Sequence, residues 1–312
     1  MIEIVCCLDD HFVEYCGLML DSLFVHNPNE QFRIHVIFNS TASIETKEKL
    51  SALGKKFSFE FCFYQLDNNL LKSFPTRKKD HISVSAYIRL FMSDLLPDGI
   101  DKVLYLDGDM MIVDSVRELW DINIDDVMVA AVEERYPFDT ESADRLLYPR
   151  EFSYFNSGVM LINLKKWKET NFSHQCLEYI QKHSDRILLH DQDVLNALLF
   201  DRKKFISIRW NLMDFFLYKR PEVQERRIKD WEEAVKAPVI IHFTGKRKPW
   251  RHFCDSPYRD LYIRFAHQRG WKVQSRSSAI HYHMRKNLYR LINKKKTITV
   301  PMPEKANNLL KN

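Results

Sequence analysis

Apolar residues in this chain follow two rhythms. Short unbroken runs alternate with stretches in which apolar positions recur every three or four residues. Runs of the first kind form buried strands, and the second spacing marks helices packed by one face. The runs predict strands over Ile2–Leu8, Phe32–Phe38, Phe57–Tyr64, Lys102–Leu106, Val127–Val132, Val159–Leu164 and Val239–Phe243. The spacing predicts helices over Val13–Val25, Ser83–Leu96, Leu164–His183 and Asp191–Phe200, with the charged amphipathic stretch Ile44–Lys55 between the second and third strands. Pro97-Asp98-Gly99 is expected to end the Ser83 helix. Strands alternating with helices predict an α/β domain. No internal repeat or low-complexity linker interrupts the pattern.

Composition agrees with that picture. The chain has 312 residues, 45% hydrophobic and 13% aromatic, enough to build a large core, and disorder over most of its length is not expected. No apolar run approaches the roughly 18 residues needed to span a bilayer. Met1-Ile2-Glu3-Ile4-Val5 lacks a basic leader region, so no secretory signal is expected. Cys6, Cys7, Cys16, Cys62, Cys176 and Cys254 show no zinc-ligand spacing, and reduced thiols in a cytosolic protein are expected.

Charge changes the picture at one end. The formal net charge is +5, yet ten Lys or Arg and no Asp or Glu lie between Leu261 and Pro303. The remainder is slightly acidic, so the chain is divided into a domain over residues 1–264 and a basic tail over 265–312. In the tail Ile280, Met284, Leu288 and Leu291 recur at nearly helical spacing, among Arg285, Lys286, Arg290 and Lys294–Lys296, with Tyr282 and Tyr289 beside them. A basic amphipathic helix suits an anionic membrane surface through residues 265–296. The alternative is a helix packed on the domain with a solvated basic face. Nucleic acid is a third reading, without support elsewhere in the sequence.

Candidate chemistry begins at Asp107-Gly108-Asp109, directly after the strand Lys102–Leu106. Residues i and i+2 of an extended segment point the same way, so both carboxylates can converge on one ion. Carboxyl ends of strands in open α/β sheets are also where ligand crevices form. A hard divalent cation such as Mg²⁺ or Mn²⁺ relieves the repulsion of such a pair. The alternative is a solvated turn, for which Asp-Gly-Asp is good chemistry. A phosphotransferase of the haloacid-dehalogenase type also places Asp-x-Asp after an apolar strand. There Gly-Thr usually follows, whereas Met110-Met111-Ile112 follows here.

His242, inside an apolar strand, reads as a core histidine or as a third ligand. The loop after it, with Gly245, Lys248 and Trp250, favours phosphate nearby. Two Asp and one His suit Mn²⁺ somewhat better than Mg²⁺. Asp191-Gln192-Asp193 opens a predicted helix, where acidic residues are either caps or face a substrate. Asn156-Ser157-Gly158 reads as a tight turn, Arg89 as a surface charge, and Asp9, Asp10 and His11 as polar groups closing the first strand.

Taken in order, Val5…Asp9-Asp10, Tyr105–Asp109, Phe155-Asn156-Ser157-Gly158-Val159, His190–Asn196 and His242-Phe243-Thr244-Gly245…Lys248-Pro249-Trp250 resemble the family 8 retaining glycosyltransferases. The resemblance covers roughly Ile2 to Arg264 and is strongest toward bacterial lipopolysaccharide or lipooligosaccharide galactosyl- and glucosyltransferases. It implies an α/β GT-A nucleotide-diphospho-sugar transferase fold, with a mixed, mostly parallel sheet flanked by helices. It implies transfer of galactose or glucose from a UDP-sugar to a glycan or glycolipid acceptor, and the basic tail, if it docks, would hold the cytoplasmic enzyme at the inner face of the membrane. Asp107, Asp109 and His242 would hold Mn²⁺ or Mg²⁺. Cys7, Asp9 and His11 would line the uridine, His11 standing where Asn is usual. Gly108 would lie beside the nucleotide, and Gly245 and Lys248 against the diphosphate. Arg89, Asn156, Asp191 and Gln192 would surround the sugar, with Arg89, Asp191 and Gln192 the catalytic set. One of Glu133 and Glu134 would stand near the acceptor. Gln192 is a poor nucleophile, so same-face attack by the acceptor hydroxyl is expected, the departing phosphate taking its proton. A non-catalytic sugar-binding protein would not need three metal ligands and a phosphate-directed lysine.

Overall fold

The computed structural model describes residues 1–38, 42–66, 84–135, 138–218, 223–244, 246–251, 254, 256–273, 300, 301 and 303. Its strands are β1 (Ile2–Leu8), β2 (Phe32–Phe38), β3 (Glu60–Gln65), β4 (Lys102–Leu106), β5 (Met110–Ile112), β6 (Val129–Glu133), β7 (Phe155–Asn163), β8 (Lys203–Phe205), β9 (Leu212–Met213) and β10 (Ile240–His242). Its α-helices are α1 (Val13–His26), α2 (Ile44–Phe57), α3 (Met92–Leu95), α4 (Arg117–Trp120), α5 (Phe138–Leu146), α6 (Leu164–Glu169), α7 (Phe172–His183), α8 (His190–Leu199), α9 (Ile228–Lys236) and α10 (Arg259–Gln268).

Two compact units are present. The first comprises Met1–Gly17, Asn27–Gly108 and Val116–Ile206, and holds a seven-stranded sheet of order β3-β2-β1-β4-β7-β6-β8. β1, β2, β3 and β4 run parallel, β7 is antiparallel to both β4 and β6, and β6 pairs parallel with β8. The order reverses between β1 and β4, the switch point at which such sheets open a ligand crevice. Asp9 and Asp107 follow those two strands. β1, β4 and β7 are central; β1 and β4 are mostly apolar, and β7 is buried throughout.

Three predicted elements take a different form. Ser83–Leu96 is not one α-helix: Val84–Phe91 is a 3₁₀ helix, followed by α3. Ala86, Tyr87, Ile88, Leu90 and Phe91 are all buried. Leu164–His183 is broken into α6 and α7 at Asn171, whose φ of 49° is left-handed, a conformation Asn tolerates. Asn156-Ser157-Gly158 is not a turn but the start of β7, where the Asn156 side chain accepts the Gly158 N–H at 3.0 Å.

The second unit comprises Leu18–His26, Asp109–Ser115 and Ser207–Asn312. Its sheet is β5-β10-β9, with His242 paired to Met110 and to Met213. α10 buries Leu261, Tyr262, Phe265 and Ala266. Beyond it, Arg269 and Trp271 donate to the buried carboxylate of Asp21 at 2.6 and 2.8 Å. The basic stretch Ile280–Lys296 lies outside the described residues, as does Gly245.

Candidate active site

In the first unit the site is built around Arg89. The Val84–Phe91 helix carries it inward, leaving its side chain 10% exposed. Its Nη2 stands 3.0 Å from Asp107 Oδ1, and its Nε 3.1 Å from Asp191 Oδ2, off the line of a hydrogen bond. Nη1 donates to the Ser157 carbonyl at 3.1 Å, and the guanidinium carbon lies 4.5 Å from the Tyr105 ring centroid. Burial works against the guanidinium charge, but Asp107 and Asp191 outweigh it and keep its pKa raised. Arg89 is therefore not a surface charge. It is the shared counter-ion of two carboxylates from β4 and α8.

Asp107 also accepts from the Tyr105 hydroxyl at 2.7 Å. Gly108 follows it because a Cβ there would come within 3.2 Å of the Cys16 Cβ. Burial pushes the Asp191 carboxyl up to about 6, helped by Asp107 and opposed by Arg89 and Ser157. The two readings of Asp191-Gln192-Asp193 fall to different residues. Asp193 is wholly buried and holds the backbone N–H of Leu188 and Leu189 at 2.6 and 2.8 Å, along with Arg145. Asp191 faces Arg89 and Ser157.

Gln192 is held by its amide. Its Oε1 accepts from Asn156 Nδ2 at 3.1 Å and from the Ser157 N–H at 3.0 Å. Glu134 Oε2 in turn accepts from Asn156 Nδ2 at 3.0 Å and from Gln192 Nε2 at 3.4 Å. The register left open by the sequence is thereby resolved: Glu134 meets this group, while Glu133 is a buried residue of β6 opposite Phe155. Cys7 is half-buried at the end of β1, where burial pushes its thiol well up. Asp9 caps the turn Asp10–Phe12 through the His11 N–H at 3.0 Å.

In the second unit Asp109, His242 and Lys248 come together. The β5–β10 pairing sets His242 opposite Met110, and the Phe243 N–H bonds the Asp109 carbonyl at 3.1 Å. His242 Nδ1 lies 2.8 Å from Asn211 Oδ1, and Nε2 lies 3.2 Å from Asp109 Oδ1. An amide oxygen only accepts, so Nδ1 carries the proton in that bond. Lys248 pairs with Asp109 Oδ2 and donates to the Phe243 carbonyl at 2.7 Å. Burial alone would raise the Asp109 carboxyl, yet Lys248 and His242 hold it well below the usual carboxylate range. Ser157, Tyr105 and Asn211 carry no sequence signal of their own and were missed as site residues.

The sheet order, with its mixed, mostly parallel strands flanked by helices, is that of the GT-A fold. The crystal structure of galactosyltransferase LgtC in complex with donor and acceptor sugar analogs matches with a TM-score of 0.78 and 24% identity, covering 91% of this chain and 100% of that one. The model of Glycosyl transferase family 8 matches residues 3–254, and the chain belongs to that family. General stress protein A of Bacillus subtilis (strain 168) is 31% identical over 279 residues, which cover 88% of this chain and 96% of the relative. Lipopolysaccharide 1,3-galactosyltransferase of Salmonella typhimurium is 29% identical over 269 residues, covering 85% and 77%.

Proposed function

We propose that this glycosyltransferase moves galactose or glucose from a UDP-sugar to a saccharide acceptor, with retention of configuration, in cell-surface glycan synthesis of the lipopolysaccharide type. Asp107, Asp109 and His242 would hold Mn²⁺ or Mg²⁺, offering two carboxylates and one ring nitrogen. The observation that carries this is the orientation of His242. Its Nδ1 is held by Asn211 at 2.8 Å, which turns Nε2 toward a carboxylate oxygen at 3.2 Å. A histidine ligand fixed through its other nitrogen is the usual arrangement at a metal. The relative named as a lipopolysaccharide galactosyltransferase supports the acceptor class.

When bound, the ion supplies Lewis-acid charge to the diphosphate oxygens. Lys248 adds fixed positive charge there, and Cys7, Asp9 and His11 line the uridine. Arg89 and Asp191 orient the sugar. Gln192 is a poor nucleophile by chemistry, and both lone-pair directions of its oxygen already meet N–H donors. Attack therefore comes from the acceptor hydroxyl on the face that the phosphate leaves. The bond from the anomeric carbon to phosphate breaks, the bond to the acceptor oxygen forms, and the hydroxyl proton passes to the phosphate. Glu134 takes the acceptor side. The phosphotransferase alternative needs Asp107 free to attack, whereas its Oδ1 meets both Tyr105 and Arg89.

Thermal unfolding with UDP tests this reading. Saturating UDP with Mn²⁺ is expected to raise Tm by several degrees, through about 3 kcal/mol at a hundredfold excess over Kd. A shift indifferent to the metal would refute the metal-held diphosphate. No α-helix among the described residues is long and apolar enough to cross a membrane. The basic tail is assigned to docking the enzyme at the cytoplasmic leaflet. Flotation with anionic vesicles is expected to be lost on removing the residues after Gly270, and unchanged flotation would refute that docking.

A further inference from the structure

We propose that the Ser157 hydroxyl is the positioning group that sets which donor hexose the site accepts, an inference that rests on the UDP-hexose reading above. Ser157 is buried and meets three sugar-directed side chains through three different atoms. Its N–H donates to Gln192 Oε1 at 3.0 Å, its carbonyl accepts from Arg89 Nη1 at 3.1 Å, and its Oγ donates to Asp191 Oδ2 at 2.9 Å.

The surroundings are rigid. The Asn196 side chain on α8 accepts the Phe155 N–H and donates to the Phe155 carbonyl, both at 2.8 Å, so it straps the start of β7 to the helix that carries Asp191 and Gln192. Asn156 locks the Gly158 N–H. Against this frame the Asp191 carboxylate retains one soft torsion, the broad rotation about its last carbon–carbon bond.

Ser157 restrains that torsion. Its Oγ and Arg89 Nε both face Oδ2, so two neighbours share one carboxylate oxygen. No side chain among the described residues bonds Oδ1. Oδ1 is thus the oxygen left, among side-chain contacts, to accept from a sugar hydroxyl. Glucose and galactose differ in the direction of one hydroxyl, and a fixed acceptor receives one of them far better than the other. Without the Ser157 hydroxyl the carboxylate turns toward either epimer.

The test uses the full chain with Mn²⁺ and compares hydrolysis of UDP-glucose and UDP-galactose by the parent, Ser157→Ala, Ser157→Cys and Ser157→Thr. In Ser157→Ala the ratio of kcat/KM between the two donors is expected to shrink about tenfold, the worth of one hydrogen bond to a charged group. UDP affinity should stay within about twofold, since no contact to the nucleotide changes. Ser157→Thr should restore the ratio, and Ser157→Cys, a weaker donor, should fall between. An equal fall for both donors with the ratio preserved, or a ratio that threonine does not restore, overturns the proposal. A parent chain that hydrolyses neither donor overturns the UDP-hexose reading, and the proposal with it, a failure distinguishable because it precedes any substitution.

Discussion

Asp109→Ala is expected to lower hexosyl transfer by about a thousandfold or more, below detection in most assays. Asp109 turns one oxygen to His242 and the other to Lys248. Its loss would remove a proposed metal ligand and free the lysine meant for the diphosphate. The departing charge would then lose several kcal/mol of stabilisation, each 1.4 kcal/mol being roughly tenfold in rate. Gln192→Ala provides the contrast. It should keep measurable transfer, within roughly a hundredfold of the parent, because in the proposed mechanism Gln192 would orient the sugar and form no bond to it. Measured initial rates for both variants at saturating UDP-hexose decide the matter. A Gln192 variant as dead as the Asp109 variant, or a glycosyl adduct trapped on any side chain, would sink same-face attack.

Arg89→Ala has the second large effect, and it falls on stability as well as on rate. Asp107 and Asp191 share that guanidinium, and Asp191 is 5% exposed. Removing one partner of a buried ion pair costs about 3–5 kcal/mol, because the charge left behind has no compensation. Urea unfolding should show a loss of that size, with donor turnover reduced in parallel. Arg89→Lys keeps the charge but not the planar fork that reaches Asp107, Asp191 and Ser157 together. It should recover part of the stability and little of the turnover. Unchanged stability in Arg89→Ala would mean that the two carboxylates do not depend on it.

How much of this was legible beforehand depended on whether a residue's role is local. β1, β2 and β4 could be read to their ends, because a short stretch dominated by apolar residues is itself the strand. Asp107 and Asp109 could be singled out because i, i+2 spacing is a local property. The resemblance named Arg89, Asp191 and Gln192, although composition and periodicity alone made Arg89 a surface charge.

The contacts that hold them were not legible. Ser157 acts because β7 runs beside α8, 34 residues further along the chain from Ser157 to Asp191. Glu134 rather than Glu133 faces Gln192 because the β6–β7 register shifts between Ala131 and Glu133, and no residue type announces such a shift. Asn211 orients His242 from 31 residues away. Each of these is a product of strand or helix placement. The 3₁₀ form of Val84–Phe91 was hidden as well, since its apolar spacing also fits an α-helix.

The most direct test of the central claim follows the hexose released from UDP-hexose by proton NMR, with and without Mn²⁺. Metal-held UDP departure with same-face attack predicts Mn²⁺-dependent release, with the sugar appearing first as the α anomer it had in the donor and reaching the β form only by later mutarotation. Initial release of the β anomer, or a rate untouched by chelating the metal, would contradict the account.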